Sequence, residues 1–349
     1  MKLLIFVTGR GTGGDAVTAY NIQQKLQEKD VETKIVLDPS APGYYFKKRN
    51  IEWLKSEIPA AGGHAASKKT LLKAAIKTLK ASYKASRLIK NQKADGVLAI
   101  IGGGTVIGSL AAKFAKVPAV GVVATPTDTK ISLKLNPTLL LPESPYYTKE
   151  DIQSKYDFLK VYSPIKEDII HGDKNNIIDK LPDNYNPENQ SVLFSSGSTL
   201  FDGMADAVRR YAEENDDVNI FLVGDPLNDY VRETIKHPNI INLGYINYIN
   251  DLYDLIDLAI TTDDGLTLHE LIACRLPIVV VIGVKYGRYH NLSSVFDGAV
   301  SESNVEDISV NVNNALKNKE EMGGYATKYS YDVLNSLDVI TEFVLEHMK

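Results

Sequence analysis

Two glycine-rich turns open the two halves of the sequence, and each stands between an apolar run and an amphipathic helical pattern. Residues 9–15 follow the apolar run 3–7, and residues 195–198 follow the apolar run 192–194. Glycine lets a backbone approach an anion closely, and the first N–H groups of a helix carry the positive end of its dipole. Both turns therefore predict sites for a phosphate-bearing ligand.

The junction at 258–270 predicts a site for both a phosphate and a sugar. An apolar run ends at Ile260, and a helical pattern begins at Gly265, Leu266 and Thr267. Their N–H groups are suited to phosphate, and Glu270, one turn further on, is suited to ribose hydroxyls. A plain helix start with an acidic residue in its first turn gives the same pattern, so both interpretations stay open.

A further glycine turn, Gly102-Gly103-Gly104-Thr105, follows the apolar run 97–101 and opens a helical pattern at Val106. It predicts another anion site at the same sheet edge as the first turn. A tight turn that only packs is the alternative. Gly9, Gly11 and Gly14 also match the dinucleotide fingerprint, with Asp38 at the end of the next strand. That alternative predicts NAD in the first domain.

Apolar runs alternate with helical patterns along the whole chain. Continuous apolar or β-branched runs are typical of parallel strands that are buried on both faces. At 349 residues the chain is long enough for two domains. We expect two doubly wound, Rossmann-like α/β domains that face a cleft. The expected boundaries are 1–162 for the first domain, 163–190 for a linker, 191–325 for the second domain, and 326–349 for a helix that returns to the first.

Composition excludes several classes of protein. The single cysteine, Cys274, leaves no internal disulfide, and no Cys/His spacing indicates a zinc site. The longest uncharged apolar stretch, 96–112, contains five glycines and predicts strand, turn and helix rather than a membrane span. Asp15 occupies the position of the lysine in a triphosphate-binding loop, which excludes that loop. We expect no metal and no cofactor.

Charge is concentrated in one segment. Residues 42–93 carry a net charge of +11 in a chain whose total is −5. Helical spacing predicts an apolar stripe of Leu72, Ile76, Leu79 and Tyr83 beside a cationic stripe, which suits an anionic membrane surface. The alternative is a helix whose apolar stripe packs on the sheet. No nucleic-acid motif accompanies the charge. The residues of the cationic stripe are Lys73, Lys77, Lys80, Lys84 and Arg87.

Several motifs, in register, resemble the MurG-type transferases of glycosyltransferase family 28. Gly11-Thr12-Gly13-Gly14-Asp15 is similar to the family's G-T-G-G-H turn, and residues 245–257 are similar to its F-I-x-x-M…A-D stretch. Gly265-Leu266-Thr267-x-x-Glu270 is similar to its A-L-T-x-x-E motif. The other similar motifs are Gly197-Ser198 (G-G-S), Leu276-Pro277 (G-L-P) and residues 162–165 (G-N-P-V).

The resemblance implies a GT-B fold and inverting transfer of a sugar, such as an N-acetylhexosamine, from a UDP-sugar to a lipid-linked acceptor. It implies cell-wall or surface glycan synthesis by a peripheral protein at the cytoplasmic membrane face. Ile246 is expected to border the base and Glu270 to bind ribose. The expected diphosphate-binding residues are Gly197, Ser198, Gly265, Leu266 and Thr267. The expected acceptor-binding residues are Thr12, Gly13, Gly14, Gly103, Gly104, Thr105 and Asp128.

The sequence departs from the family at the catalytic positions. Asp15 replaces the histidine and is the candidate general base, with Asp128 the next candidate; Asp15 as a simple helix cap is the alternative. The glutamine pair that contacts the donor sugar is absent, and Tyr286, Arg288 and Asn291 are the candidates there. Two other functions on the same fold stay open, a sugar-nucleotide epimerase and a non-catalytic membrane-bound subunit.

Overall fold

The chain forms two compact units, one of residues 1–164 with 336–349 and one of residues 165–335. A computed structural model describes residues 1–9, 13–59, 68–149, 155–263, 265–284 and 292–349, without the side chains of 68–73. Each unit is built on one parallel sheet, and each is described by itself.

The first unit contains seven strands in the order β3-β2-β1-β4-β5-β6-β7, and every pairing is parallel. Its helices lie on both faces of the sheet. The strands are β1 Lys2–Phe6, β2 Glu32–Leu37, β3 Trp53–Lys55, β4 Gly96–Ile100, β5 Ala119–Val123, β6 Thr138–Leu140 and β7 Phe158–Lys160. The helices are α1 Gly14–Glu28, α2 Tyr44–Lys47, α3 Lys68–Asn91, α4 Gly103–Ala115 and α5 Pro126–Leu135.

The core of the first unit has one apolar layer on each sheet face. One layer joins strand residues to α1 and to Ile340 and Val344 from the C-terminal segment. The other joins them to α3 and α4, through small residues such as Ala81, Ala85 and Ala111. Burial on both faces explains why β4 and β5 are continuous apolar runs.

The second unit contains six parallel strands in the order β10-β9-β8-β11-β12-β13. The strands are β8 Gln190–Leu200, β9 Val218–Pro226, β10 Ile240–Gly244, β11 Leu258–Thr262, β12 Ile278–Val281 and β13 Val300–Ser303. The helices are α6 Asp202–Glu214, α7 Asp229–Thr234, α8 Ile249–Tyr253, α9 Leu266–Ala273, α10 Leu292–Val295, α11 Ile308–Lys317 and α12 Lys319–His347. Two doubly wound parallel-sheet units confirm the predicted fold class.

The segment after residue 165 belongs to the second unit. It forms three short 3₁₀ turns, Glu167–Ile170, Lys174–Asn176 and Ile178–Lys180. The first two contact α8, and the first also contacts α9. The long helix α12 contributes 319–335 to the second unit and its remainder to the first.

One local prediction is wrong. The sequence predicts that the strand ends before residues 195–198 and that a turn leads into a helix. Instead β8 continues to Leu200, and its pairing with β9 shifts register between Ser195 and Thr199. Residues 196–198 therefore form a bulge, in which Gly197 has a φ of 91° that favours glycine.

Candidate functional site

The first candidate site lies where β1 leads into α1. Gly9 has a φ of 62°, and a Cβ there would lie 2.6 Å from Cδ2 of Leu37. The turn therefore requires glycine for both conformation and space. Gly13 is the N-cap of α1 and has no side chain that could cap the helix. Gly13 and Gly14 are both exposed. Thr12 lies outside the described residues.

Asp15 bonds both to the loop after β1 and to the first turn of its own helix. It is the second residue of α1, after the N-cap Gly13. Its Oδ2 accepts a hydrogen bond from the Thr8 hydroxyl, and its Oδ1 accepts the Ala16 N–H at 2.8 Å. Burial raises the pKa of Asp15, and these hydrogen bonds offset part of that rise. A carboxyl with a raised pKa is a stronger base than a solvated aspartate.

The second glycine turn leads from β4 into α4. Ile101 has a φ of 41°, which is strained for a β-branched residue, and Gly102 follows with a φ of 60°. Gly104 packs directly on β1, because a Cβ there would lie 2.7 Å from the Phe6 carbonyl oxygen. The turn therefore brings the first N–H groups of α4 to the same sheet edge as the first turn.

Asp128 holds this turn in place. Its Oδ2 accepts the N–H of Gly102 at 2.6 Å and that of Ala124 at 3.4 Å, and its Oδ1 accepts that of Thr125 at 2.8 Å. Burial raises the pKa of Asp128, and these bonds offset part of the rise.

Two expected acceptor contacts need correction. Asp128 is 0% exposed, so it positions the glycine turn and does not face an acceptor. The Thr105 hydroxyl is also fully buried, at 3.1 Å from the Ala99 carbonyl and 3.0 Å from the Val122 carbonyl. Thr105 therefore ties α4 to the sheet rather than contacting a ligand.

The carboxylate of Asp38 accepts hydrogen bonds from the protein backbone and is not placed to bind a ribose. Its Oδ1 accepts the backbone N–H of Ser40 at 2.9 Å, and its Oδ2 accepts that of Ile58 at 2.6 Å. The residue is 8% exposed. A dinucleotide fold needs this acid for the ribose hydroxyl, so the geometry of Asp38 disfavours NAD.

The second unit carries its own helix-start site at the end of β11. Gly265 is the N-cap of α9 with a φ of 86°, and space for a Cβ there is open. As the N-cap, Gly265 has no side chain that could cap the helix, whose first residues are Leu266 and Thr267. The N–H groups at this helix start are therefore placed to bind an anion.

Glu270 lies one turn into α9 and is half-buried. Its Oε2 accepts a hydrogen bond from the Tyr253 hydroxyl at 3.3 Å. Burial raises the pKa of Glu270 to about 7, the Tyr253 bond opposes the rise, and the charge of Asp168 adds to it. Glu270 therefore titrates near neutral pH.

Ile246 and Ser198 complete the positions expected near a nucleotide. Ile246 is half-buried in the loop between β10 and α8. Gly197 and Ser198 lie in the β8 bulge, and β8 is the neighbour of β11 in the sheet. The hydroxyls of Ser195 and Ser196 contact the backbone at Val223 and Thr199. Tyr286, Arg288 and Asn291 lie outside the described residues.

The helix α3 exposes the stripe that was expected to pack or to meet a membrane. Ile76 is 47% exposed, Leu79 50% and Tyr83 55%. The buried face is formed instead by Ala81, Ala85 and Ile89. The prediction that the stripe of Ile76 and Leu79 packs on the sheet is therefore wrong.

Cations flank this exposed stripe. Lys77, Lys80, Lys84 and Arg87 are exposed, and the side chain of Lys73 is not described. Lys84 pairs with Glu57 at 2.8 Å. Phe114 of α4 is 39% exposed, and its ring centroid lies 6.4 Å from that of Tyr83. Among the described residues, no helix is long and apolar enough to cross a membrane.

Two residues of these sites were not singled out from the sequence. Tyr253 lies within the stretch 245–257, and Thr8 directly precedes the first turn. Neither carried a signal of its own, because each acts through a hydrogen bond to a distant acid. Among the described residues, no group of acidic, histidine or cysteine side chains is arranged to hold a metal ion.

Comparison with known proteins finds a family match over the first third of the chain and a shared fold over its full length. Residues 5–121 match the model of the glycosyltransferase family 28 N-terminal domain. No curated protein sequence matches the chain. Two solved structures of similar fold are MurG from Acinetobacter baumannii, 16% identical with a TM-score of 0.68, and HepE from Anabaena in complex with UDP, 16% identical with a TM-score of 0.69. Each alignment covers 99% of both chains.

A structure of another enzyme class is also similar. UDP-GlcNAc 2-epimerase from Neisseria meningitidis, bound to UDP-GlcNAc, is 15% identical with a TM-score of 0.64. The alignment covers 99% of this chain and 100% of that one. The family match and these likenesses confirm the resemblance to the MurG-type transferases as that of a divergent member, and they confirm the GT-B fold.

Proposed function

We propose that this divergent relative of the family 28 glycosyltransferases transfers a sugar from a UDP-sugar to a lipid-linked acceptor, with inversion. The observation that carries the proposal is the pairing of an uncapped helix start at Gly265 with the carboxyl of Glu270 on the same helix. Backbone N–H groups suit a diphosphate, and a carboxyl one turn away suits ribose hydroxyls. We take UDP as the nucleotide because the similar structure of HepE is in complex with UDP.

The donor site divides its work among three positions. Ile246 borders the base, Glu270 accepts hydrogen bonds from the ribose, and the diphosphate lies at the start of α9. Gly197 and Ser198 of the β8 bulge complete the diphosphate site. Negative charge grows on the leaving diphosphate as the sugar departs, and fixed N–H dipoles stabilise that charge without reorganising.

Asp15 is proposed as the general base. The acceptor hydroxyl oxygen forms the new bond to the anomeric carbon, and the bond from that carbon to the diphosphate breaks. The acceptor proton passes to the Asp15 carboxylate, and UDP leaves with the electron pair of the broken bond. The raised pKa of Asp15 and its fixed hydrogen bonds to Thr8 and Ala16 support this assignment.

The acceptor is proposed to meet the first unit. The exposed Gly13 and Gly14 and the helix start at Gly103 are suited to a diphosphate on the acceptor, whereas Gly104 is buried against Phe6. Asp128 and Thr105 support this site from beneath, as positioning residues. Thr12 belongs to the same proposal by its place in the motif.

The exposed face of α3 is proposed to hold the protein on the cytoplasmic face of an anionic membrane. Ile76, Leu79 and Tyr83 provide apolar surface, with exposed cations beside them. Apolar residues insert at the interface while Lys and Arg bind anionic headgroups. This placement brings the enzyme to a lipid-linked acceptor, as cell-wall or surface glycan synthesis requires.

A sugar-nucleotide epimerase is the second candidate, because an epimerase shares the fold over the full chain. Incubation with UDP-N-acetylglucosamine alone separates the two functions. An epimerase converts the sugar nucleotide to its 2-epimer with no acceptor present. A transferase releases UDP only when a membrane lipid extract is added, and the sugar then appears in the lipid phase.

A further inference from the structure

Tyr253 is a buried titratable residue that contacts the ribose-binding carboxyl proposed above. It is the last residue of α8, and its side chain is 4% exposed. Its hydroxyl donates a hydrogen bond to Oε2 of Glu270 at 3.3 Å. This bond engages one of the two carboxyl oxygens of Glu270.

The helix that carries Tyr253 is held firmly by the segment after residue 165. Oδ1 of Asp251 accepts the N–H of Asp173 at 2.9 Å, and Oδ2 of Asp254 accepts the N–H of Lys174 at 3.1 Å. Gly172 lies against the helix so closely that a Cβ there would be 1.9 Å from the Asn250 carbonyl oxygen. The Tyr253 hydroxyl therefore has a fixed position.

The same short helix joins two parts of the proposed nucleotide site. It begins at Ile249, three residues after Ile246, and ends at Tyr253, whose hydroxyl reaches Glu270. Because hydrogen bonds to residues 173 and 174 hold this helix, the loop proposed to contact the base and the carboxyl proposed to bind ribose share one support.

The groups around Glu270 have opposite effects on its ionisation. Burial and the charge of Asp168 raise the pKa of Glu270, and the Tyr253 hydrogen bond lowers it. Cys274 lies one turn further along, and burial raises the pKa of its thiol to about 12, so it stays neutral. Its Sγ donates to the Ile169 carbonyl oxygen at 3.5 Å, and the charge of Asp254 acts on it too.

We propose that Tyr253 is a positioning residue for nucleotide binding, whose hydroxyl orients the Glu270 carboxylate toward the ribose. The proposal rests on the nucleotide site of the proposed function. An ionised carboxylate accepts hydrogen bonds from two ribose hydroxyls, whereas the neutral acid has fewer acceptor positions. Loss of the tyrosine hydroxyl therefore weakens binding of the nucleoside part.

The test is calorimetric titration of the full chain with UDP between pH 5.5 and 8.5. Tyr253→Phe removes the hydroxyl and keeps the ring. Tyr211→Phe is the matched control, because Tyr211 is a buried tyrosine of the same unit whose hydroxyl lies 3.1 Å from Oδ1 of Asn313. Glu270→Gln removes the carboxyl, so the pH dependence of UDP binding that remains in this variant comes from UDP itself.

We expect Tyr253→Phe to weaken UDP binding about 5- to 10-fold at pH 7. The midpoint of the carboxyl-dependent part of the profile should move to higher pH, because the bond that favours ionisation is gone. Tyr211→Phe should lower the melting temperature by a similar amount and leave UDP affinity and its midpoint unchanged. In Glu270→Gln, adding Tyr253→Phe should weaken UDP binding less than twofold.

Two outcomes overturn the inference, and they are distinguishable. If Glu270→Gln weakens UDP binding but Tyr253→Phe leaves affinity and midpoint unchanged, Tyr253 only packs. If the parent does not bind UDP, or Glu270→Gln binds it equally well, the nucleotide site of the proposed function fails and the role of Tyr253 fails with it.

Discussion

The hydroxyl of Thr8 donates a hydrogen bond to Oδ2 of Asp15, so the loop that follows β1 and the first turn of α1 hold one carboxylate between them. The Ala16 N–H occupies the other oxygen at 2.8 Å. Asp15 stands where the resembled family has histidine. In this chain, the acid at that position has its own hydrogen-bond donor in the loop after β1.

Asp15→Asn tests the proposed base. Asparagine keeps the size and one acceptor oxygen but cannot take up the acceptor proton. Turnover of a UDP-sugar with a membrane lipid extract should fall by about 10²- to 10⁴-fold, the usual contribution of a general base. UDP affinity and the melting temperature should stay near those of the parent. Turnover within about threefold of the parent would require another base.

Thr8→Val tests the support for that base. The Thr8 bond lowers the pKa of Asp15, so its removal raises that pKa further. A base acts when it is deprotonated, and activity is lost as pH falls through its pKa. The acidic limb of the pH–rate profile should therefore move to higher pH, with UDP affinity unchanged. If the acidic limb stays where it is in the parent, Thr8 has no influence on the catalytic base.

Glu270→Gln tests the raised pKa of Glu270 without any ligand. Its pKa is about 7 in the fold, above the usual 4.5, so the fold favours the neutral acid. The stabilisation that this gives is complete below about pH 4.5 and is lost as pH rises through about 7. In urea unfolding, the parent should lose roughly 3 kcal/mol more than Glu270→Gln across that interval. Parallel profiles would contradict the shift.

Charge reversal on α3 tests the membrane surface. Lys77→Glu, Lys80→Glu and Arg87→Glu together should weaken binding to vesicles of 30% phosphatidylserine by about 100-fold, because each cation contributes about 1 kcal/mol. High salt should weaken the parent in the same way. The matched control reverses three exposed lysines elsewhere, Lys29, Lys317 and Lys328. Equal loss in both triple variants would show nonspecific attraction only.

The sequence predicts the long regular elements closely and the shortest strands poorly. The runs at 119–123 and 278–281 coincide with β5 and β12, and the helical pattern at 202–214 coincides with α6. These elements are buried on one or both faces, so their apolar pattern is clear. Strands β3, β6 and β7 have three residues each and were not predicted, because so short an element leaves no run to recognise.

The residues of the candidate site were also predicted only in part. The glycine turns and Glu270 were found because residue type and spacing carry the signal. The enclosure of Asp128 was not, since it depends on the Gly102 turn of a neighbouring strand closing over it. On α3 the sequence shows two stripes, but which face packs depends on the close approach of α4, where small residues such as Ala81 and Ala85 fit.

Transfer of the sugar from a UDP-sugar to a lipid can be followed with a labelled donor. The purified chain is incubated with UDP-sugars labelled in the sugar and with a membrane lipid extract, and label is counted in the butanol phase. We expect label in lipid, with equimolar UDP release, and loss of both in Asp15→Asn. Label that stays in the aqueous phase while the parent binds UDP, or that appears there as an epimerised UDP-sugar, would contradict it.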